Sequence, residues 1–76
     1  MFNRELFGLR IRQLRQAKNL TMKSLAIELS LSGSGTISNL ENSKKPPSIE
    51  MLFILADFFD VSIDYLVGRS NDPLRR

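Results

Sequence analysis

Thr21-Met-Lys-Ser-Leu-Ala-Ile-Glu-Leu-Ser-Leu-Ser-Gly-Ser-Gly-Thr-Ile-Ser-Asn-Leu-Glu-Asn42 decides the fold of this 76-residue chain. It reads as two short amphipathic helices joined by a tight polar turn, a helix-turn-helix. In the first helix Leu25, Ala26 and Leu29 form the buried stripe, and Thr21 can cap the first turn with its hydroxyl oxygen. Ser30 to Gly33 form the turn, and either Ser32 or Ser34 is expected to cap the second helix. That helix has only two apolar anchors, Ile37 and Leu40, three residues apart and therefore on one face. Around them stand Ser34, Thr36, Ser38, Asn39 and Asn42, which leaves a polar face free to touch a partner. In a basic chain this points to a DNA groove, where hydrogen-bonding side chains read base edges and Lys and Arg meet phosphates.

On the amino-terminal side, Phe7, Ile11 and Leu14 recur at helical spacing, with Arg10, Arg12, Gln13, Arg15 and Gln16 on the other faces. The spacing predicts a helix from near Asn3 to Lys18, stopped at Asn19. On the other side, Ser43-Lys44-Lys45-Pro46-Pro47 must be a loop, because proline removes a donor and biases its predecessor away from helix. Ser48 then caps a helix whose main apolar face is Leu52, Leu55, Ala56 and Phe59. Met51, Ile54 and Phe58 form a second row beside it, either covered by the bundle or left as an exposed stripe. Asp60-Val61 breaks this helix. Ser62 caps a last short one, Ile63 to Val67, closed by Gly68 where a left-handed backbone is cheap. No segment alternates with period two, so the expected fold class is all-α with five helices in one domain, residues 1–68. Residues 69–76 lack periodicity, contain Pro73 and read as a flexible tail.

Composition excludes most chemistry. With no cysteine there is no disulfide or thiol chemistry, and with no histidine there is no imidazole base, so any metal would need carboxylates alone. No metal or cofactor is expected, and no catalytic site. Gly33-Ser34-Gly35-Thr36 lacks the Lys-Ser/Thr ending and the preceding strand of a phosphate loop. No apolar run approaches the roughly 20 residues of a membrane span, and a cytoplasmic location is the simplest expectation. The charge is unevenly placed. Residues 1–47 carry eight bases against three acids, and residues 48–76 three bases against five acids. The positive end coincides with the helix-turn-helix, as a polyanion partner requires.

The combined motifs resemble a known family. Phe7-x3-Ile11-Arg12-x-Leu14-Arg15, Leu20-Thr21, Leu25-Ala26-x2-Leu29, Thr36-Ile37-Ser38-x-Leu40-Glu41-Asn42, Pro47-Ser48, Leu55-Ala56 and Val61-Ser62-x-Asp64-Tyr65-Leu66-x-Gly68 are similar to the lambda-repressor-like, Cro-like helix-turn-helix regulators of the XRE family. The similarity runs from about residue 7 to 68. It implies a compact five-helix bundle whose third helix lies in the major groove of double-stranded DNA, two copies reading a near-palindromic operator. It also implies that Arg15 and Glu41 form an internal ion pair tying helix 1 to helix 3. Three positions depart from the pattern. The Leu29–Ile37 interval is one residue longer than usual. Met22 replaces a common phosphate-binding glutamine, and Ser43 replaces the usual glycine after helix 3.

Within this frame Asn39 is the leading base reader, because an amide offers a donor and an acceptor together to an adenine edge and Asn39 lies opposite the core anchors. Ser34, Gly35, Thr36 and Ser38 are placed beside it, although for Ser34 capping is an equal claim. Lys44, Lys45 and Asn42, just beyond the recognition helix, match the family's phosphate contacts, and Lys23 and Thr21 on helix 2 are grouped with them. Met51, Ile54 and Phe58 are the expected anchors of a homodimer. With no activation or effector segment visible, a repressor is expected. The alternative is a protein-interaction module, such as an antitoxin that sequesters a partner through helix 4.

Overall fold

A side chain that folds back on its own first turn starts four of the five helices. In the computed structural model, which describes residues 2–42 and 44–75, Asn3 accepts from the Leu6 N–H at 3.1 Å and opens α1, Arg4–Ala17. Thr21 accepts from Ser24 at 3.0 Å and opens α2, Met22–Glu28. Ser48 and Ser62 do the same, each at 3.0 Å, for α4, Ile49–Phe59, and α5, Ile63–Leu66. The exception is α3, Gly35–Glu41. Ser34 stands at its N-cap position with helical backbone angles and makes no side-chain cap bond. The capping expected of Ser34 is therefore corrected: a side chain caps when its own residue is extended, and Ser34 is already in the helix conformation. Among the described residues the fold is all-helical, with five helices and no strand.

Helix ends are equally systematic. Asn19, Ser30, Asp60 and Gly68 take left-handed backbone angles after α1, α2, α4 and α5. In each case the following N–H reaches the carbonyl five residues back: Leu20 to Arg15, Leu31 to Ala26, Val61 to Ala56 and Arg69 to Asp64, at 2.8–3.1 Å. These bonds satisfy carbonyls that the last helical turn leaves open. Asn and Asp tolerate the left-handed region and Gly is free there. Ser30 is the unusual occupant, while the nearby Gly33 and Gly35 have ordinary backbone angles. Ser43 lies outside the described residues, as do Met1 and Arg76.

The helices enclose a core of Phe7, Ile11, Leu25, Ala26, Ile37, Leu40, Leu55, Ala56, Phe59, Val61 and Leu66, with Leu14, Leu29 and Leu52 packed against it. Met51 and Phe58 also pack on this core, and Phe58 meets Phe59 edge to face at 5.1 Å. The more exposed apolar side chains of α4 are Ile49 and Phe53, one helical turn apart. The second row expected from the sequence is half-buried throughout and divided only in its packing, Met51 and Phe58 lying on the core and Ile54 outside that group.

Two contacts fix α1. Gly8 is pressed against the end of α3 so closely that a Cβ there would lie 2.4 Å from the Glu41 carbonyl oxygen and 3.0 Å from that of Leu40. At the same crossing the Glu41 carboxylate, fully buried, is held by Arg15, with Nε 2.6 Å from Oε2 and Nη2 3.1 Å from Oε1. Arg15 Nη1 donates to the Leu20 carbonyl at 2.8 Å. The hydrogen bond to Glu41 raises the Arg15 pKa above its ordinary value, outweighing the opposing effect of burial. Arg12, three residues earlier, adds Nε at 3.3 Å from Oε1.

Arg10 departs from the sequence reading, which set it on a polar face. It is buried, with its guanidinium stacked 4.0 Å from the Tyr65 ring centroid. It donates to the carbonyls of Tyr65 and Ser70 and to Asn71 Oδ1. Residues 69–75, expected to be a flexible tail, are tethered along their length. Ser62 N–H donates to the Pro73 carbonyl at 3.0 Å, and Arg75 pairs with Asp57 at 2.7 Å. Polar bonding replaces the apolar periodicity that the segment lacks.

Two stability outcomes follow from the α1–α3 crossing. Gly8→Ala is expected to destabilise by about 1–3 kcal/mol, as overpacking does, although alanine favours helix by up to about 1 kcal/mol. The obstructing atoms are backbone and cannot rotate away. A urea midpoint equal to or above that of the parent chain would refute the close approach. Arg15→Ala is expected to cost about 3 kcal/mol, the lower end of the range for a buried charge losing its partner, because Arg12 remains beside Glu41. Thermal melting within a degree or two of the parent would assign Arg15 another role.

Candidate nucleic-acid interface

α3 presents a surface because of how its inward face is held. Ile37, Leu40 and Glu41 are buried and lie at three- and four-residue steps, so they occupy one side. Gly35, Thr36 and Asn39 are exposed on the other, Ser38 is half-buried, and Asn42 is exposed just past the end. The Asn39 side chain makes no hydrogen bond to another described residue, while its carbonyl accepts from the Lys44 N–H at 3.2 Å. Asn42 is partly committed, since its Nδ2 donates to Ser38 Oγ at 3.2 Å. That bond steers both groups and leaves the Asn42 carbonyl oxygen and the Ser38 hydroxyl proton for other partners.

The approach to the helix is narrow. Gly33 and Gly35 would each place a Cβ in open space, with no atom within 4 Å. Neither fold contacts nor a left-handed angle call for glycine at these two positions. With Ser34 not capping, the first N–H groups of α3 carry no side-chain acceptor.

The basic residues flank this surface. Lys44 and Lys45 are exposed, beginning where the chain leaves α3, and Lys23 is exposed on α2. Thr21 is different: its hydroxyl accepts from Ser24 N–H and donates to Ser24 Oγ at 2.9 Å, so its donor is already used as part of the cap. Met22 is half-buried and packs on the core. Sequence reasoning overlooked Arg12, which shares the Glu41 carboxylate with Arg15. The signal was available, because residues 12 and 15 are three apart on one helix and face the same way.

Other candidate sites lie elsewhere. A groove of about 550 Å³ runs between α4, α5 and the tail, lined by Phe53, Val61, Ile63, Leu74 and Arg75 among others, with no residue from α2 or α3. No helix among the described residues is long and apolar enough to cross a membrane.

Comparison with known proteins bears on the helical core that carries these residues. The helix-turn-helix family matches residues 11–66, from the middle of α1 to the end of α5. The uncharacterized HTH-type transcriptional regulator YobD of Bacillus subtilis is 45% identical over 64 residues, covering 84% of this chain and 56% of the relative. ImmR, also of Bacillus subtilis, is 34% identical over 82% of this chain and 48% of its own length. The HTH-type transcriptional activator BcrR of Enterococcus faecalis is 41% identical over 82% of the chain and 30% of its own length. The chain spans about half the length, or less, of these relatives. On the strength of the match across its helical core, it belongs to the helix-turn-helix family of the lambda-repressor-like, XRE type.

Proposed function

We propose that this chain is a transcriptional regulator that binds double-stranded DNA by sequence, acting as a repressor on a near-palindromic operator occupied by two copies. The observation that carries this reading is the outward polar face of α3, held rigid from beneath by Ile37, Leu40 and the buried Glu41 carboxylate. Asn39 reads a base edge, with Thr36, Ser38, Ser34 and the Gly35 backbone beside it. Lys23, Lys44, Lys45 and Asn42 anchor phosphates, with Thr21 at the margin. Relatives named as transcriptional regulators support the role. Repression is our choice of sign because occupying an operator is sufficient for it, whereas activation needs a further contact. The dimer contact is assigned to α4, where half-buried Ile54 neighbours the exposed Ile49 and Phe53, so that these two join or replace Met51 and Phe58 as anchors. One short helix per copy gives too little affinity alone, and two copies fit half-sites about 34 Å apart.

Selection of bound fragments from a random duplex pool tests the proposal. A palindromic consensus is expected; a consensus without symmetry would overturn the two-fold arrangement, and no salt-dependent binding at all would favour a protein-interaction module such as an antitoxin. On the selected site Asn39→Ala is expected to lose about 1–3 kcal/mol and to relax preference at one base position, with binding to random DNA nearly intact. Equal loss on both duplexes would remove it as a base reader. Changing Lys44 and Lys45 together to Ala should weaken all sequences alike and reduce the salt slope by about two units. A slope equal to that of the parent would take both lysines out of the interface.

A further inference from the structure

Two guanidiniums converge on one carboxylate at the α1–α3 crossing, and only one of them is needed there. Arg15 engages both oxygens of Glu41 and is 11% exposed, whereas Arg12 reaches Oε1 through Nε alone, at 3.3 Å, and is 45% exposed. The Nη groups of Arg12 have no hydrogen-bond partner among the described residues. The Arg15–Glu41 pair is electrically balanced and geometrically complete, so Arg12 brings an uncompensated positive charge to the rim of the crossing. A half-exposed, single-bonded ion pair adds little to a fold, and the adjacent Arg15 charge weakens it further.

The position of that charge is informative. Glu41 is the last residue of α3, and the Lys44 N–H closes onto the Asn39 carbonyl at 3.2 Å, so the Lys44–Lys45 charges begin at the end of α3 that Arg12 flanks. Arg12 on α1 and the exposed Lys44 and Lys45 of the loop after α3 thus border the same end of α3, and positive side chains at one place suit an external anion. A guanidinium with two unused Nη groups matches the spacing of two phosphate oxygens, and Glu41 orients it by holding Nε from behind.

We propose that Arg12 is a DNA-anchoring residue that grips a backbone phosphate beside the base pairs read by α3. The proposal rests on the DNA-binding reading above and extends the contact surface from the helix-turn-helix to α1.

Fluorescence anisotropy of the parent chain, Arg12→Ala and Arg12→Lys on selected and random duplexes, each titrated from about 50 to 200 mM salt, tests it. Arg12→Ala is expected to lower the salt slope by about one unit and to weaken both duplexes alike, by about five- to tenfold near 0.1 M salt. Arg12→Lys should restore most of the slope, and the melting temperature should not move in either variant. A parent-like slope in Arg12→Ala, with the parent itself strongly salt-dependent, would overturn the Arg12 assignment and leave the DNA reading standing. Loss of the folded state in Arg12→Ala, or weakening confined to the selected duplex, would equally overturn it. Absence of salt-dependent binding by the parent on either duplex would overturn both.

Discussion

The buried Glu41 carboxylate sets the orientation of everything α3 presents. Removing a carboxylate from water is tolerable only when a cation and further hydrogen bonds receive it, and Arg15 supplies both at 2.6 and 3.1 Å. Once Glu41 must face α1, the rotation of α3 about its own axis is settled. Asn39, two residues earlier, lies about 200° around the helix at 3.6 residues per turn and is forced outward. The close seat of Gly8 on the Glu41 carbonyl adds the translational half of the constraint, since the ion pair alone would permit a wider separation of the two helices.

α1 also organises the far side of the molecule. Arg10 stacks on Tyr65 and bonds to groups near residues 65–71, so one helix holds α3 on one flank and α5 with the tail on another. This changes the meaning of the charge asymmetry. Of the eight bases in residues 1–47, Arg10 and Arg15 are spent inside the protein, and the other six, Arg4, Arg12, Lys18, Lys23, Lys44 and Lys45, are exposed. Counting charge along a sequence overstates an electrostatic footprint by the number of cations that the fold consumes.

Local features were readable from the sequence because their physics is local. Thr21, Ser48 and Ser62 each cap the helix that follows them, and Asn19 and Gly68 each end one. The inward faces of α2 and α3 followed from three- and four-residue spacing. What escaped depends on partners distant in the chain. Nothing near Gly8 announces that the end of α3 will pass over it, and nothing near Arg10 announces Tyr65 and Asn71, more than fifty residues away. Whether the second α4 row is covered was left open by the sequence for a related reason: periodicity gives angular positions on a helix, whereas the width of the covered sector is decided by what packs against it. As for the interface, the outward face of α3 was legible, but the share of Asn42, Ser38 and Thr21 already committed to internal bonds was not.

The two ends of α3 are treated in opposite ways. Its last turn is locked by an ion pair and a backbone-on-backbone seat, while its first turn has no capping side chain, and Gly33 before it and Gly35 at its start both have empty surroundings. The helix is built in from Ile37 to Glu41 and overhangs only at Gly35 and Thr36. Gly35 and Thr36 stand beyond Ile37, the outermost core anchor of the helix, whereas Asn39 lies between Ile37 and Leu40. The firmly seated side chains and the openly placed ones therefore occupy successive turns of one seven-residue helix.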